Sequence, residues 1–154
     1  MRYDFSKMMM ADPLEGLAQN FNDLNCGPVD VMVEHNRDLF GDFQFTTRGD
    51  ASKMLEEVLN YARSHEFPKV YLLIDEYDKF TNQLLTAYND PLYEEARTND
   101  TFLRTFFNVI KDGIGEGSIR AGFCTRVLLG TMDDLTGGYN IAEILTLEPN
   151  FLNM

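Results

Sequence analysis

Cations, cysteine and imidazole are all scarce in this chain. Thirteen Lys and Arg stand against 25 Asp and Glu, a formal charge of -12. Non-specific attraction to a phosphate backbone or an anionic bilayer is therefore disfavoured, and no nucleic-acid or membrane partner is expected. The two cysteines, Cys26 and Cys124, lie far apart, with Cys124 inside an apolar run. That pattern fits a reduced, cytoplasmic setting and offers no zinc spacing. His35 and His65 lack the paired Cys or His that a metal site needs, and read as surface residues. No apolar run approaches the length of a membrane span, and Met1-Arg2-Tyr3-Asp4 lacks the basic-then-apolar layout of a signal peptide. Internal repeats and low-complexity tracts are absent too.

What is present is enough to fold. At 154 residues, 44% hydrophobic and 12% aromatic, the composition is that of one globular domain able to bury a core. Arg2 to Ser6 alternates polar and aromatic residues and predicts a strand, followed by Met8-Met9-Met10 as an adaptable linker. Asp12 and Pro13 read as a helix start, with Leu14, Leu17, Ala18, Phe21 and Leu24 at helical spacing and an end near Cys26-Gly27. Pro28 predicts a second helix that Gly41 closes. Asp50 caps a third to about Ser64, burying Met54, Leu55, Val58, Leu59 and Ala62. Phe80 to Tyr88 predicts a further helix. The apolar face from Leu92 through Phe106, Phe107 and Ile110 predicts another, stopped by Asp112-Gly113-Ile114-Gly115-Glu116-Gly117. That glycine-rich stretch precedes a strand and carries no lysine, so it reads as a turn and not as a phosphate cradle.

One stretch reads as chemistry. Val70-Tyr71-Leu72-Leu73-Ile74 predicts a short strand buried on both faces, as in a parallel sheet covered by helices. It stops abruptly in Asp75 and Glu76, at the carboxyl end where open α/β sheets place their ligands. An apolar strand ending in Asp-Glu has the form of the Walker B element of nucleotide triphosphatases, in which the first acid holds magnesium and the second acts as base on the attacking water. Two other readings stand beside it. Asp75, Glu76 and Asp78, with Lys79, can be read as the carboxylate cluster of a divalent-metal nuclease or phosphohydrolase; an acidic, aromatic-rich chain with an open strand edge also suits a non-enzymatic interaction module.

Taken together the pieces resemble the predicted AAA-ATPase-like family, bacterial proteins whose P-loop domain is often followed by a nuclease-like domain. The resemblance runs from Tyr3-Asp4-Phe5-Ser6 through Leu73-Ile74-Asp75-Glu76-Tyr77-Asp78 and Phe106-Phe107 to Met132-Asp133-Asp134-Leu135-Thr136 and Leu145-Thr146-Leu147-Glu148-Pro149. It implies an α/β fold, a partial P-loop core whose three-stranded parallel sheet (about 2–6, 69–75 and 119–126) is flanked by helices. It also implies Mg²⁺ and ATP as ligands, Asp75 as the Mg²⁺-side acid, Glu76 as base and Thr125 in the sensor position. Two departures accompany it. No Gly-Lys pair occurs anywhere in the chain, so the phosphate loop is missing and Mg-ATP is expected to bind poorly. Thr125 is followed by Arg126-Val127, where the family reads Thr-Gly-Val. The expectation is one domain over 1–154, shortened at both ends, whose last strand is an exposed edge. Ala121, Phe123 and Val127 would lie on that edge, inviting a second copy or a strand-donating partner.

Overall fold

The computed structural model describes residues 1–7, 14–76 and 102–125. The described elements are β1 (Arg2–Asp4), a 3-10 turn (Phe5–Lys7), α1 (Leu14–His35), α2 (Arg37–Phe40), α3 (Ala51–Ser64), β2 (Val70–Asp75), α4 (Phe102–Gly115) and β3 (Ile119–Cys124). The strands form a parallel sheet in the order β1-β2-β3, with β2 in the middle. This is the expected α/β arrangement of three parallel strands flanked by helices. Met8-Met9-Met10, the Asp12-Pro13 start, the Phe80 to Tyr88 helix, Asp78, Arg126 and Val127 lie outside the described residues.

The core lies on one face of this sheet. Tyr3, Leu72, Ile74 and Ile119 point into it from the strands and meet Phe21 and Val29 of α1, Leu55 and Val58 of α3, and Phe106 and Ile110 of α4. Phe106 is the hub, with Tyr3 edge-on at 5.1 Å and Phe21 edge-on at 5.2 Å between ring centroids. Both crossovers, β1 to β2 and β2 to β3, step in the same direction across the sheet. Right-handed connections then place their helices on the same side.

That geometry overturns the expectation of a central strand buried on both faces. Val70, Leu72 and Ile74 are buried, whereas Tyr71 and Leu73 are 62% and 49% exposed, and Phe123 beside them on β3 is 52% exposed. An unbroken apolar run therefore hides a strict alternation, because a period of two sends every second side chain to the open face whatever its polarity.

Three boundaries also differ from the sequence reading. Gly27-Pro28 does not divide two helices: α1 runs through it. Proline removes one helical donor, but Phe21, Asn25, Val29 and Val33, four residues apart and all buried, keep one stripe on the core across the proline. Gly113 does not stop α4; it is buried inside it, and a Cβ there would come within 2.7 Å of Ile119 Cδ1. Its absent side chain lets helix and strand approach, and the left-handed turn falls later, at Gly117 with φ 81. Finally β1 ends at Asp4, since Asp4 Oδ1 accepts from the Ser6 backbone N–H at 3.1 Å and from its hydroxyl, bending the chain into the 3-10 turn. The α3 reading holds in detail: Asp50 caps it through the Lys53 N–H, and the five expected apolar residues are buried.

Candidate functional site

The open face of the sheet carries the polar constellation, at the carboxyl ends of the strands. The register sets Asp4 of β1 directly beside Asp75 of β2, and Thr125, just past β3, follows the Ile74–Cys124 pair through its N–H bond to the Ile74 carbonyl. Asp4, Asp75 and Thr125 thus form one row across three strands. Arg2 lies two residues before Asp4 on the same face, and Arg2 Nη2 donates to Asp75 Oδ2 at 2.9 Å.

Each oxygen of Asp75 therefore has one protein donor. Oδ2 takes the guanidinium, and Oδ1 takes the Thr125 hydroxyl. Thr125, with Arg2 second, holds the Asp75 carboxyl below the ordinary aspartate range, so it is ionised at neutral pH. Its neighbour Asp4 is likewise held down, first by the Ser6 hydroxyl and further by Lys7, whose ammonium lies 3.5 Å from Asp4 Oδ2. Two like charges side by side on a sheet face repel, and here each has its own cation: Arg2 for Asp75, Lys7 for Asp4.

Thr125 Oγ1 also accepts the Glu76 backbone N–H at 3.2 Å, so its proton goes to Asp75 and one lone pair to Glu76. That clamp sits where Glu76 adopts φ 51. A residue with a Cβ pays roughly 1 kcal/mol or more to be left-handed, and the strand ends at this turn.

Of the sequence-predicted site residues, Asp75, Glu76 and Thr125 come together; Asp78, the third acid of the nuclease reading, lies outside the described residues. Among the described residues no group of three or more His, Cys, Asp or Glu is gathered as for a metal ion. His35 and His65 are exposed, His65 stacking on Tyr61 at 3.9 Å. Burial pushes the Cys124 thiol up to about 11, making it a packing group and not a nucleophile. Sequence reasoning missed Arg2 and Asp4. The alternation of Arg2 and Asp4 with buried Tyr3 and Phe5 marks their common face, but only the strand register places them at Asp75.

No helix among the described residues is long and apolar enough to cross a membrane. No curated protein and no solved structure matches the chain. A family described as "Predicted AAA-ATPase" does, over residues 1–136. With that match covering most of its length and a parallel sheet that ends in an ionised aspartate, the chain belongs to the AAA-ATPase-like family.

Proposed function

We propose that the end of the sheet is the acid-and-sensor half of a nucleoside triphosphate site, with Asp75 as the cation-side carboxylate. The observation that carries this reading is that Asp75, on the middle strand, is held ionised by the Thr125 hydroxyl and lies partly exposed beside Asp4. The donor set fits Mg²⁺, a hard cation that keeps most of its waters and is bound through one or two carboxylates. Asp75 would hold it, with Asp4 as the neighbouring carboxylate. When bound, Mg²⁺ neutralises charge on the β- and γ-phosphate oxygens.

The chain's own groups divide the remaining work. Thr125 orients Asp75 and, with its proton committed there, positions the carboxylate in preference to donating to phosphate. Glu76, turned out of the strand, is the base toward an attacking water. Arg2 pairs with Asp75 and neutralises it, and a cation held by Asp75 would compete with that pair. No Gly-Lys pair is available in this chain to cradle phosphates, so ATP binding and hydrolysis are weak. A cytoplasmic setting agrees with the two free thiols.

Isothermal titration of the chain with Mg-ATP tests the reading. The expected result is weak binding, with little turnover, that disappears in Asp75→Asn. Binding that survives Asp75→Asn unchanged would remove Asp75 from the site.

We also propose that β3 is an association edge. Among the described residues it is the sheet's outer strand, with Ala121 and Phe123 exposed. A second copy or a strand-donating partner would pair there.

A further inference from the structure

Two acids in succession pose a geometrical problem at the end of a strand. Successive side chains of extended backbone leave opposite faces of a sheet. Ile74 is buried on the covered face, and Asp75 after it lies partly exposed on the open one. If β2 ran on in the same conformation, Glu76 would return to the covered, apolar side, away from any cation held by Asp75.

The chain leaves the extended conformation at that residue. β2 ends at Asp75, and Glu76 has φ 51. Among the described residues only one other non-glycine residue, Glu66, has a positive φ. Glu66 lies in the turn after α3 and is held locally, its N–H donating to the Arg63 carbonyl at 3.2 Å. Glu76 has a different support: its N–H donates at 3.2 Å to a side chain 49 residues away, the hydroxyl of Thr125. A left-handed residue with a Cβ is strained, and persists where its surroundings hold it.

We infer that Thr125 is a positioning residue for Glu76: its hydroxyl holds the left-handed turn that lets both consecutive acids serve the same side of the sheet. The inference rests on the reading of Asp75 as the cation-side acid and Glu76 as the base, and adds the means by which the base is placed. One hydroxyl suffices because it works in two directions, giving its proton to Asp75 and receiving the Glu76 N–H. Hydrogen bonds in a chain polarise one another, so a hydroxyl that donates to an ionised carboxylate is a better acceptor for the amide behind it. Asp75 thereby strengthens the tie on its neighbour.

Thr125 is itself anchored independently of that hydroxyl. Its backbone N–H donates to the Ile74 carbonyl at 2.8 Å, which fixes it against the end of β2. Its branched Cβ also limits the rotamers open to it, which suits an oxygen with two fixed partners. Removing the hydroxyl alone therefore leaves the strand pairing in place and takes away the support of the turn.

The test uses the full chain and NMR on three proteins: the parent, Thr125→Val, which removes the hydroxyl, and Thr125→Ser, which keeps it. Without metal, the intraresidue amide-to-Hα NOE of Glu76 reports its φ, being strong at positive values and weak in extended backbone. This NOE is expected to be strong in the parent and in Thr125→Ser and lost in Thr125→Val, with amide exchange at Glu76 at least threefold faster in Thr125→Val. With Mn²⁺ at equal occupancy, paramagnetic relaxation of the Glu76 γ-protons is expected to fall at least fivefold in Thr125→Val and less than twofold in Thr125→Ser. An unchanged NOE and exchange rate in Thr125→Val would overturn the inference while leaving Asp75 in its role. Loss of the turn with no change in Mn²⁺ relaxation at Glu76 would show a structural clamp that does not place the base, and equally overturn it. Mn²⁺ binding that Asp75→Asn leaves unchanged would overturn the underlying reading of Asp75, and with it the role given to Thr125.

Discussion

Arg2 and Asp75 make the sharpest case of a residue pair whose meaning lies in competition. An exposed guanidinium on an acid contributes little to folding, but on the proposed reading of Asp75 it would compete with a dication for the same carboxylate. Arg2→Gln is expected to tighten Mn²⁺ binding roughly two- to fivefold, the modest size typical of an exposed ion pair, with thermal stability nearly unchanged; weaker Mn²⁺ binding in that variant would show Arg2 to be a supporting residue instead. A different carboxylate carries a pH effect. Glu57 accepts the Thr46 N–H at 2.8 Å, the Thr47 N–H at 2.9 Å and the Thr46 hydroxyl, tying the loop before α3 to the helix. Partial burial raises its pKa, but these bonds outweigh that and leave it below the ordinary glutamate value. A depressed folded-state pKa means stability that is present above the unfolded glutamate pKa and lost as pH falls through the folded one. Glu57→Gln is expected to cost about 1 kcal/mol in urea unfolding at pH 7 and to lose much less than the parent between pH 5 and pH 3.

At the scale of elements, glycines and a proline were the hardest features to read. Gly113, Gly115 and Gly117 look alike in sequence, yet one is packed inside a helix, one ends it and one turns left-handed. Spacing cannot distinguish them because the difference is made by Ile119 and Leu59, which press on Gly113 from other elements. Gly113→Ala is expected to destabilise by about 1–3 kcal/mol through overpacking, and Gly115→Ala, where a Cβ meets nothing, to be neutral or stabilising by up to about 1 kcal/mol. Denaturant midpoints of the two variants decide it; equal effects would contradict the packing role of Gly113. Pro28 failed as a helix breaker for a similar reason, since four buried residues on one stripe outweigh one lost hydrogen bond. By contrast α3 was legible from end to end, because its cap, its amphipathic period and its burial all agree within one local segment. At the site, Asp75 and Glu76 could be picked out from a strand end and Thr125 from the family resemblance, but Arg2 and Asp4 could not, since parallel register is fixed by contacts 73 and 71 residues apart in the chain.

For the whole molecule, the described residues form a sheet with one covered face and one open face. Tyr71, Leu73 and Phe123 on the open face form a contiguous apolar surface, adjacent through the Leu73–Phe123 register. Parallel sheets normally cover both faces, so burial against another layer is the expected fate of this surface. Self-association should therefore rise across a concentration series in size-exclusion chromatography and fall in Phe123→Asp; a strict monomer at all concentrations would contradict this. The arrangement also explains how one sheet serves two ends: its covered face carries the aromatic core, while its open face carries the ionised Asp4 and Asp75 with the Thr125 hydroxyl beside them.

The most direct measurement is a Mn²⁺ titration of the full chain followed by water-proton relaxation, comparing the parent with Asp75→Asn and with Asp38→Asn, an exposed acid far from the row in sequence. Saturable binding that weakens at least tenfold in Asp75→Asn and is unchanged in Asp38→Asn is the predicted result. Equal affinities in all three proteins would show that Asp75 is no cation-side acid.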